Sequence, residues 1–321
     1  MSVIELQSVS KNYGAVRALD QVTWTVDAGQ LLGFLGPNGA GKTTTIRILL
    51  GFLKPTSGRA RVHGLHAWRD SPRIRAKVGY LPGDVRLYPN LTGEQTVRFV
   101  ADARGRGGGV DAEPLAKAFE LDLRPRVRTY SRGMRQKLAL ILAMMHRPEL
   151  LILDEPSSGL DPLMQQVLHQ AFRDVVADGR TVLFSSHSLP EAEELCEQVV
   201  ILREGRLVAS ESIAELRRRA GHRVGLKFSQ RVEKLPPAPD GLLIDRSSEV
   251  HVRGRWHGDV RELMRWSTSL PLEDVTIERA DLEDLFIDYY ETPISHEAGT
   301  AGPTNDGVPG GDRDVPGGMR S

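Results

Sequence analysis

Apolar and polar residues alternate over residues 3–9 and again over 19–26, the period of a strand with one buried face. The two runs predict an antiparallel pair. Residues 31–35 differ, because all but Gly33 are apolar and the run ends in a glycine-rich turn. That is the pattern of a strand covered on both sides. Over 43–50 the period lengthens to that of a helix. Thr92 and Gln95 stand three apart ahead of an apolar stripe, the spacing of a capping box for a helix reaching about Ala103. Ser131 heads a helix rich in Leu, Ala and Met that runs to His146. Residues 150–153 and 181–185 read as apolar strands flanked by helices. This alternation predicts an α/β fold with a parallel sheet covered on both faces. Residues 199–202 and 206–209 predict a closing hairpin around Glu204-Gly205. Ser212 and Glu215 then cap a further helix.

The pattern changes after about residue 215. Short strands are predicted at 223–228, 242–244 and 250–252, around the proline-rich LPPAP break. Helices are predicted at 259–266 and 281–291. Together they form a small α+β appendage. From residue 292 onward the chain is dominated by Gly, Pro and polar residues, which cannot pack a core and predict disorder. The expected division is 1–218, 219–291 and 292–321.

Composition narrows the function classes. Forty-two basic residues balance 42 acidic ones, so electrostatics gives no reason to expect nucleic acid as the main partner. At 40% hydrophobic the chain can bury a full core. Its one cysteine, Cys196, excludes an intramolecular disulfide and a cysteine-cluster metal site. Cys196 sits in EAEELCEQV and is expected to be a structural buried thiol on a helical face. The N-terminus is polar and alternating, unlike a signal peptide. No run approaches the ~18 apolar residues that span a bilayer. A soluble, cytoplasmic chain is expected, one that forms no membrane pore by itself.

Three strand ends carry the candidate chemistry. Gly36-Pro37-Asn38-Gly39-Ala40-Gly41-Lys42-Thr43 matches GxxxxGK[ST] between a strand and a helix, and Thr44 follows it. Such a loop turns backbone N–H groups inward to hold β- and γ-phosphates, helped by the positive end of the helix. Lys42 adds a point charge, and the Thr43 hydroxyl is placed to ligate Mg²⁺. The strand at 150–153 ends in Asp154-Glu155. Strand C-termini form the ligand edge of an open α/β sheet. Asp154 would hold Mg²⁺ through water, and Glu155 would orient or deprotonate an attacking water. His187 follows a third apolar strand and could reach the γ-phosphate.

With these residues the sequence resembles the ATP-binding subunit of an ABC transporter, over about residues 3–215. The resemblance implies a P-loop NTPase core with an antiparallel β subdomain and a helical subdomain. Asp154-Glu155 with the following Ser158-Gly159-Leu160-Asp161 resembles the Walker B and D-loop. Ser186-His187 resembles the switch histidine, and Tyr13 the aromatic that stacks on adenine. Tyr130-Ser131-Arg132-Gly133-Met134 stands where the family has its LSGGQ signature. The family's signature binds the γ-phosphate of ATP held by an opposite subunit. The resemblance therefore implies a homodimer, or a pair with a related subunit, closed over two ATP, with Ser131, Gly133 and Asp161 at that interface.

Two departures stand out. Arg132 replaces the first signature glycine, which either weakens the contact across subunits or adds charge near phosphate. Gly83 replaces the Q-loop glutamine. Either Asp84 substitutes as a Mg²⁺ ligand, or the loop mainly senses a membrane subunit. The family couples to a separate integral-membrane permease through the segment here at 85–128, which holds the helical aromatic Phe99. That would place the chain on the inner face of the membrane. The 282–290 ending resembles exporter-type ATPases of the ABC-2 group, including those for antibiotics. The alternatives are a soluble ABC-type ATPase outside transport and a regulatory subunit with little hydrolysis.

Overall fold

The computed structural model describes residues 2–105 and 112–279. Strands β1 (Ser2–Tyr13) and β2 (Val16–Asp27) form the expected antiparallel pair. Strand β3 (Leu31–Leu35) runs through the glycine-rich loop into helix α1 (Lys42–Leu49). Strands β4 (Ser57–Val62) and β5 (Leu65–His66) complete an antiparallel sheet of order β2-β1-β4-β5. Helix α2 (Ser71–Lys77) precedes β6 (Val78–Leu81), and three helices follow: α3 (Gly93–Ala103), α4 (Ala112–Ala118) and α5 (Arg132–Met144). The capping box of α3 forms as read, with Gln95 N donating to Thr92 Oγ1 at 3.1 Å and Thr92 N to Gln95 Oε1 at 2.9 Å. Next come β7 (Leu150–Asp154), α6 (Pro162–Ala177), β8 (Thr181–Ser186), α7 (Leu189–Leu195), β9 (Gln198–Arg203), β10 (Arg206–Ser212) and α8 (Ile213–Ala220).

The second sheet has the order β10-β9-β3-β8-β7-β6. Its strands are parallel except β10, which pairs antiparallel with β9. Period-2 geometry splits each central strand between two cores. Leu32 and Phe34 of β3, Leu150 and Ile152 of β7, and Leu183 of β8 face the antiparallel sheet. Trp24 stacks on Phe34 there, with ring centroids 5.2 Å apart. Leu35, Leu151, Leu153, Val182 and Phe184 face the other way, toward α3, α5 and α6. Burying one Leu or Phe removes it from water at a gain of about 1.5–3 kcal/mol. Strands with two buried faces must therefore read as unbroken apolar runs. The sheet is held rigid right up to the strand ends that carry the polar residues.

A third sheet follows, built from β11 (His222–Phe228), β12 (Leu242–Ser248), β13 (His251–Trp256) and, after helix α9 (Val260–Ser267), β14 (Leu272–Arg279). Its order is β12-β13-β11-β14, antiparallel throughout. It has its own core, in which Val224, Leu226, Phe228, Val252 and Trp256 pack with Leu263 of α9. Strand β14 was not expected. Its apolar residues Leu272, Val275 and Ile277 break strict alternation because of a bulge. Phe228 pairs with Leu272 but Lys227 with Asp274, so one extra residue shifts the phase. All three then lie against core residues of β11.

Cys196 is buried, but it caps the C-terminus of α7 in an extended conformation instead of lying on its face. Burial pushes its thiol well above the usual range. The helix expected at 281–291 and the disordered tail expected from residue 292 lie outside the described residues. Among the described residues, no helix is long and apolar enough to cross a membrane.

Candidate functional site

The C-terminal ends of β3, β7 and β8 lie side by side in the large sheet, and three polar loops leave from them. The first is the glycine loop. Gly41 has φ of 109°, a conformation side chains resist. A Cβ there would sit 2.8 Å from the Ala18 carbonyl oxygen. Gly41 is also the N-cap of α1 and makes no side-chain cap. By contrast, Thr92, Ser131, Asp161 and Ser212 cap α3, α5, α6 and α8 with their side chains. The first N–H groups of α1 have no partner within the helix. They meet a cavity of about 240 Å³ that is lined also by Asn38, Thr43, Thr44, Gly83, Asp154 and Glu155.

Lys42 is buried, and its ammonium folds back on the loop. Nζ donates to the Gly36 carbonyl at 2.5 Å and to the Pro37 carbonyl at 3.3 Å. It also lies 3.6 Å from Glu155 Oε1. Burial lowers the Lys42 pKa, while Glu155 and Asp154 pull it back up. A buried cation held mainly by neutral carbonyls has capacity left for an anion.

The second loop follows β7. Asp154 is buried and accepts two hydroxyls, Thr43 Oγ1 at 2.8 Å through Oδ2 and Ser185 Oγ at 2.5 Å through Oδ1. Glu155 has φ of 52°, which turns its side chain toward the cavity edge. The Glu155 N–H donates to the Ser185 carbonyl at 3.2 Å and to Ser185 Oγ at 3.1 Å. Gln136 of α5 donates to the Pro156 carbonyl at 2.8 Å and fixes the turn from the other side. Glu155 Oε1 is buried without a hydrogen-bond partner. The third loop follows β8, and it brings His187 Nδ1 to 2.8 Å from Glu155 Oε2.

This arrangement fits a triphosphate and a hard divalent cation. Glycine-loop amides, the uncapped helix start and Lys42 suit phosphate oxygens. Thr43 Oγ1 and Asp154 form an oxygen pair of the kind that holds Mg²⁺. Among the described residues no three His, Cys, Asp or Glu cluster as a metal cage. A cation here would draw its other ligands from phosphate and water, as Mg²⁺ commonly does.

The remaining candidates lie apart from this cavity. The Asp84 carboxylate is exposed and bonded to Arg86 at 2.8 Å. Its neighbour Gly83 is the residue that faces the site, and a side chain placed at 83 would start 3.3 Å from Asp154 Oδ2. The structure thus does not bring Asp84 to the proposed cation position. The register of the loop gives that place to a residue with no side chain. Tyr13 is half exposed at the end of β1, with Lys11 Nζ 5.3 Å from its ring centre. Ser131 Oγ caps α5 by accepting from Met134 N at 3.2 Å, and Asp161 caps α6 by accepting from Met164 N at 3.0 Å. Gly133 approaches the 158–161 turn so closely that a Cβ on it would lie 2.9 Å from the Gly159 carbonyl oxygen. Arg132 Nη2 donates to Ser158 Oγ at 2.9 Å, so its charge is tied to that turn in the same chain.

Sequence reasoning missed Ser185 and Gln136. Two serines ending the apolar run of β8, and one buried amide on an apolar helix face, are the signals that could have found them.

A family model described as ABC transporter matches residues 19–158. The probable multidrug ABC transporter ATP-binding protein YbhF of Escherichia coli (strain K12) is 36% identical over 214 residues, which is 65% of this chain and 37% of that protein. The match thus spans little more than a third of that relative's length. The bacitracin transport ATP-binding protein BcrA of Bacillus licheniformis is 34% identical over 224 residues, covering 68% of this chain and 72% of that protein. A solved structure of an ATP-binding subunit of an ABC transporter aligns with a TM-score of 0.64 at 34% identity, over 68% of this chain and 92% of that one.

Proposed function

The chain belongs to the ABC transporter family of ATP-binding subunits, and from that premise we propose that it hydrolyses ATP to power an exporter. The exported substrate would be an antibiotic or other hydrophobic compound, and its path a separately encoded membrane permease. The multidrug and bacitracin transport relatives support a substrate of this class. Residues 1–218 would form the ATPase and 219–291 an accessory domain, with the chain held at the inner membrane face by the permease. The exposed pair Tyr88 and Phe99, packed edge to face at 5.3 Å, offers that partner an aromatic contact.

One observation carries the enzymatic reading. Lys42, Thr43, Asp154, Glu155 and His187 converge from three strand ends, and Glu155 keeps a buried oxygen without a hydrogen-bond partner. In the proposed reaction the glycine loop and Lys42 bind the phosphates and orient the γ-phosphorus. Thr43 and Asp154 would hold Mg²⁺, which when bound neutralises phosphate charge. Glu155 accepts a proton from the attacking water, and His187 keeps the Glu155 carboxylate aimed. Tyr13 would stack on the adenine.

The start of α5 stands apart from the chain's own cavity. Ser131, Gly133 and the Asp161 turn would therefore serve a second copy or a related subunit, closing over two ATP. Replacement of Glu155 by Gln should keep ATP binding, lower kcat by about a hundredfold or more, and accumulate an ATP-bound dimer on size-exclusion chromatography. Parental turnover in that variant would refute the role of Glu155.

A further inference from the structure

A second polar cluster, outside the lining of the phosphate cavity, surrounds the start of α7. Glu191 of α7 is at its centre, with a side chain only 10% exposed. Its Oε2 accepts from Ser186 Oγ at 2.6 Å. Ser186 Oγ in turn accepts from the Ser188 N–H at 3.0 Å, and Ser188 Oγ accepts from the Glu191 N–H at 3.4 Å. These bonds join the two residues that flank His187 to the first turn of α7. The other carboxylate oxygen, Oε1, is buried without a hydrogen-bond partner among the described residues. His169 of α6 closes the cluster, with Nε2 3.9 Å from Glu191 Oε1 and Nδ1 3.4 Å from Glu194 Oε1. Arg173 lies 3.7 Å from the same Glu194 oxygen.

The charge state of the cluster is consistent with a tether. Burial alone would raise the Glu191 carboxyl, but His169, Ser186 and Ser157 outweigh it and hold the group below its ordinary value. The Glu191 carboxylate is the main influence on His169 and lifts its imidazole above the ordinary value; burial opposes this and Glu194 adds to it. A buried carboxylate without partners is costly, so the Ser186 hydroxyl that bonds it is held in place, and with it the segment that supplies it.

We propose that Glu191 is a positioning residue for ATP hydrolysis: its buried carboxylate ties the loop carrying His187 to the first turn of α7 and so sets the Glu155–His187 contact. Glu191 does not line the phosphate cavity. It fixes the loop that leaves β8, through Ser186 on one side of His187 and Ser188 on the other. The inference rests on the hydrolytic reading given above.

The test is steady-state ATP turnover by the full chain, with thermal melting to follow the fold. Glu191→Ala removes every oxygen of the tether, and kcat should fall about tenfold while KM for ATP stays within about twofold. Glu191→Gln keeps an oxygen for the serines and should recover most of that loss. In a His187→Ala background, Glu191→Ala should cost less than about twofold more, because the two act through one contact. Ser186→Ala, a smaller change, should show the same pattern should Glu191→Ala fail to fold. A hydrolysing parent whose kcat ignores both substitutions, or a loss that is fully additive with His187→Ala, overturns the inference alone. A parent with no turnover removes the hydrolytic reading and the inference with it.

Discussion

The large parallel sheet and the C-terminal sheet treat polar side chains in opposite ways. The parallel sheet ends in buried polar groups: Lys42, Asp154, Ser185 and Ser186 are all less than a tenth exposed, and His169 lies behind them. Beyond residue 221, Ser267 is the one buried polar side chain among the described residues. Two ion pairs of the C-terminal region, Lys227–Glu273 and Arg231–Glu249, have both partners more than half exposed. Solvated pairs of this kind add little to stability. Buried polar groups are retained where they are fully bonded or where a ligand completes them. The contrast supports the chemistry proposed for the first region and a packing role for the second.

Three substitutions would break or sharpen that contrast. The largest effect is expected from Trp256→Ala, which empties the fully buried centre of the C-terminal core. It should destabilise that region by about 3–5 kcal/mol, seen as an early melting transition, while ATP affinity by calorimetry stays at the parental value. A matching loss of ATP binding would show that the two regions are not separable. Lys42→Ala comes next. Removing a buried charge that contacts the ligand should weaken ATP binding by roughly a hundredfold and leave melting of the nucleotide-free chain nearly unchanged. Undiminished affinity would contradict the phosphate-loop assignment. The smallest effect is expected from Asp84→Ala. Among the described residues its exposed carboxylate bonds only Arg86, so turnover and Mg²⁺ dependence should change by less than about twofold. A large rise in the Mg²⁺ requirement would restore Asp84 to the cation site and extend the buried chemistry to a solvated group.

The sequence made legible what is local in the chain. Residues 36–43 declare themselves because eight consecutive positions build one loop. The Thr92–Gln95 box and the Ser131 and Ser212 caps were readable for the same reason, since donor and acceptor stand three residues apart. What escaped depends on distant pairing. Gln136 supports a carbonyl 20 residues away, and Ser185 bonds a carboxylate 31 residues away. Neither has a local signature beyond being polar in an apolar run. Strand β14 escaped for another reason, because its bulge moves the apolar phase by one residue. Gly83 marks an intermediate case. The sequence showed that a glutamine was missing, but only the fold shows that the glycine itself, and not Asp84, faces Asp154.

Glu155 is held at φ of 52°, where side chains other than Gly, Asn and Asp are disfavoured by about 1 kcal/mol or more. Glycine at that position would relax the backbone and remove a buried oxygen that lacks a hydrogen-bond partner. A variant library selected only for heat resistance should therefore drift away from glutamate at 155. A library selected for turnover should keep it. The position gives an engineer a direct reading of which pressure has acted on the protein.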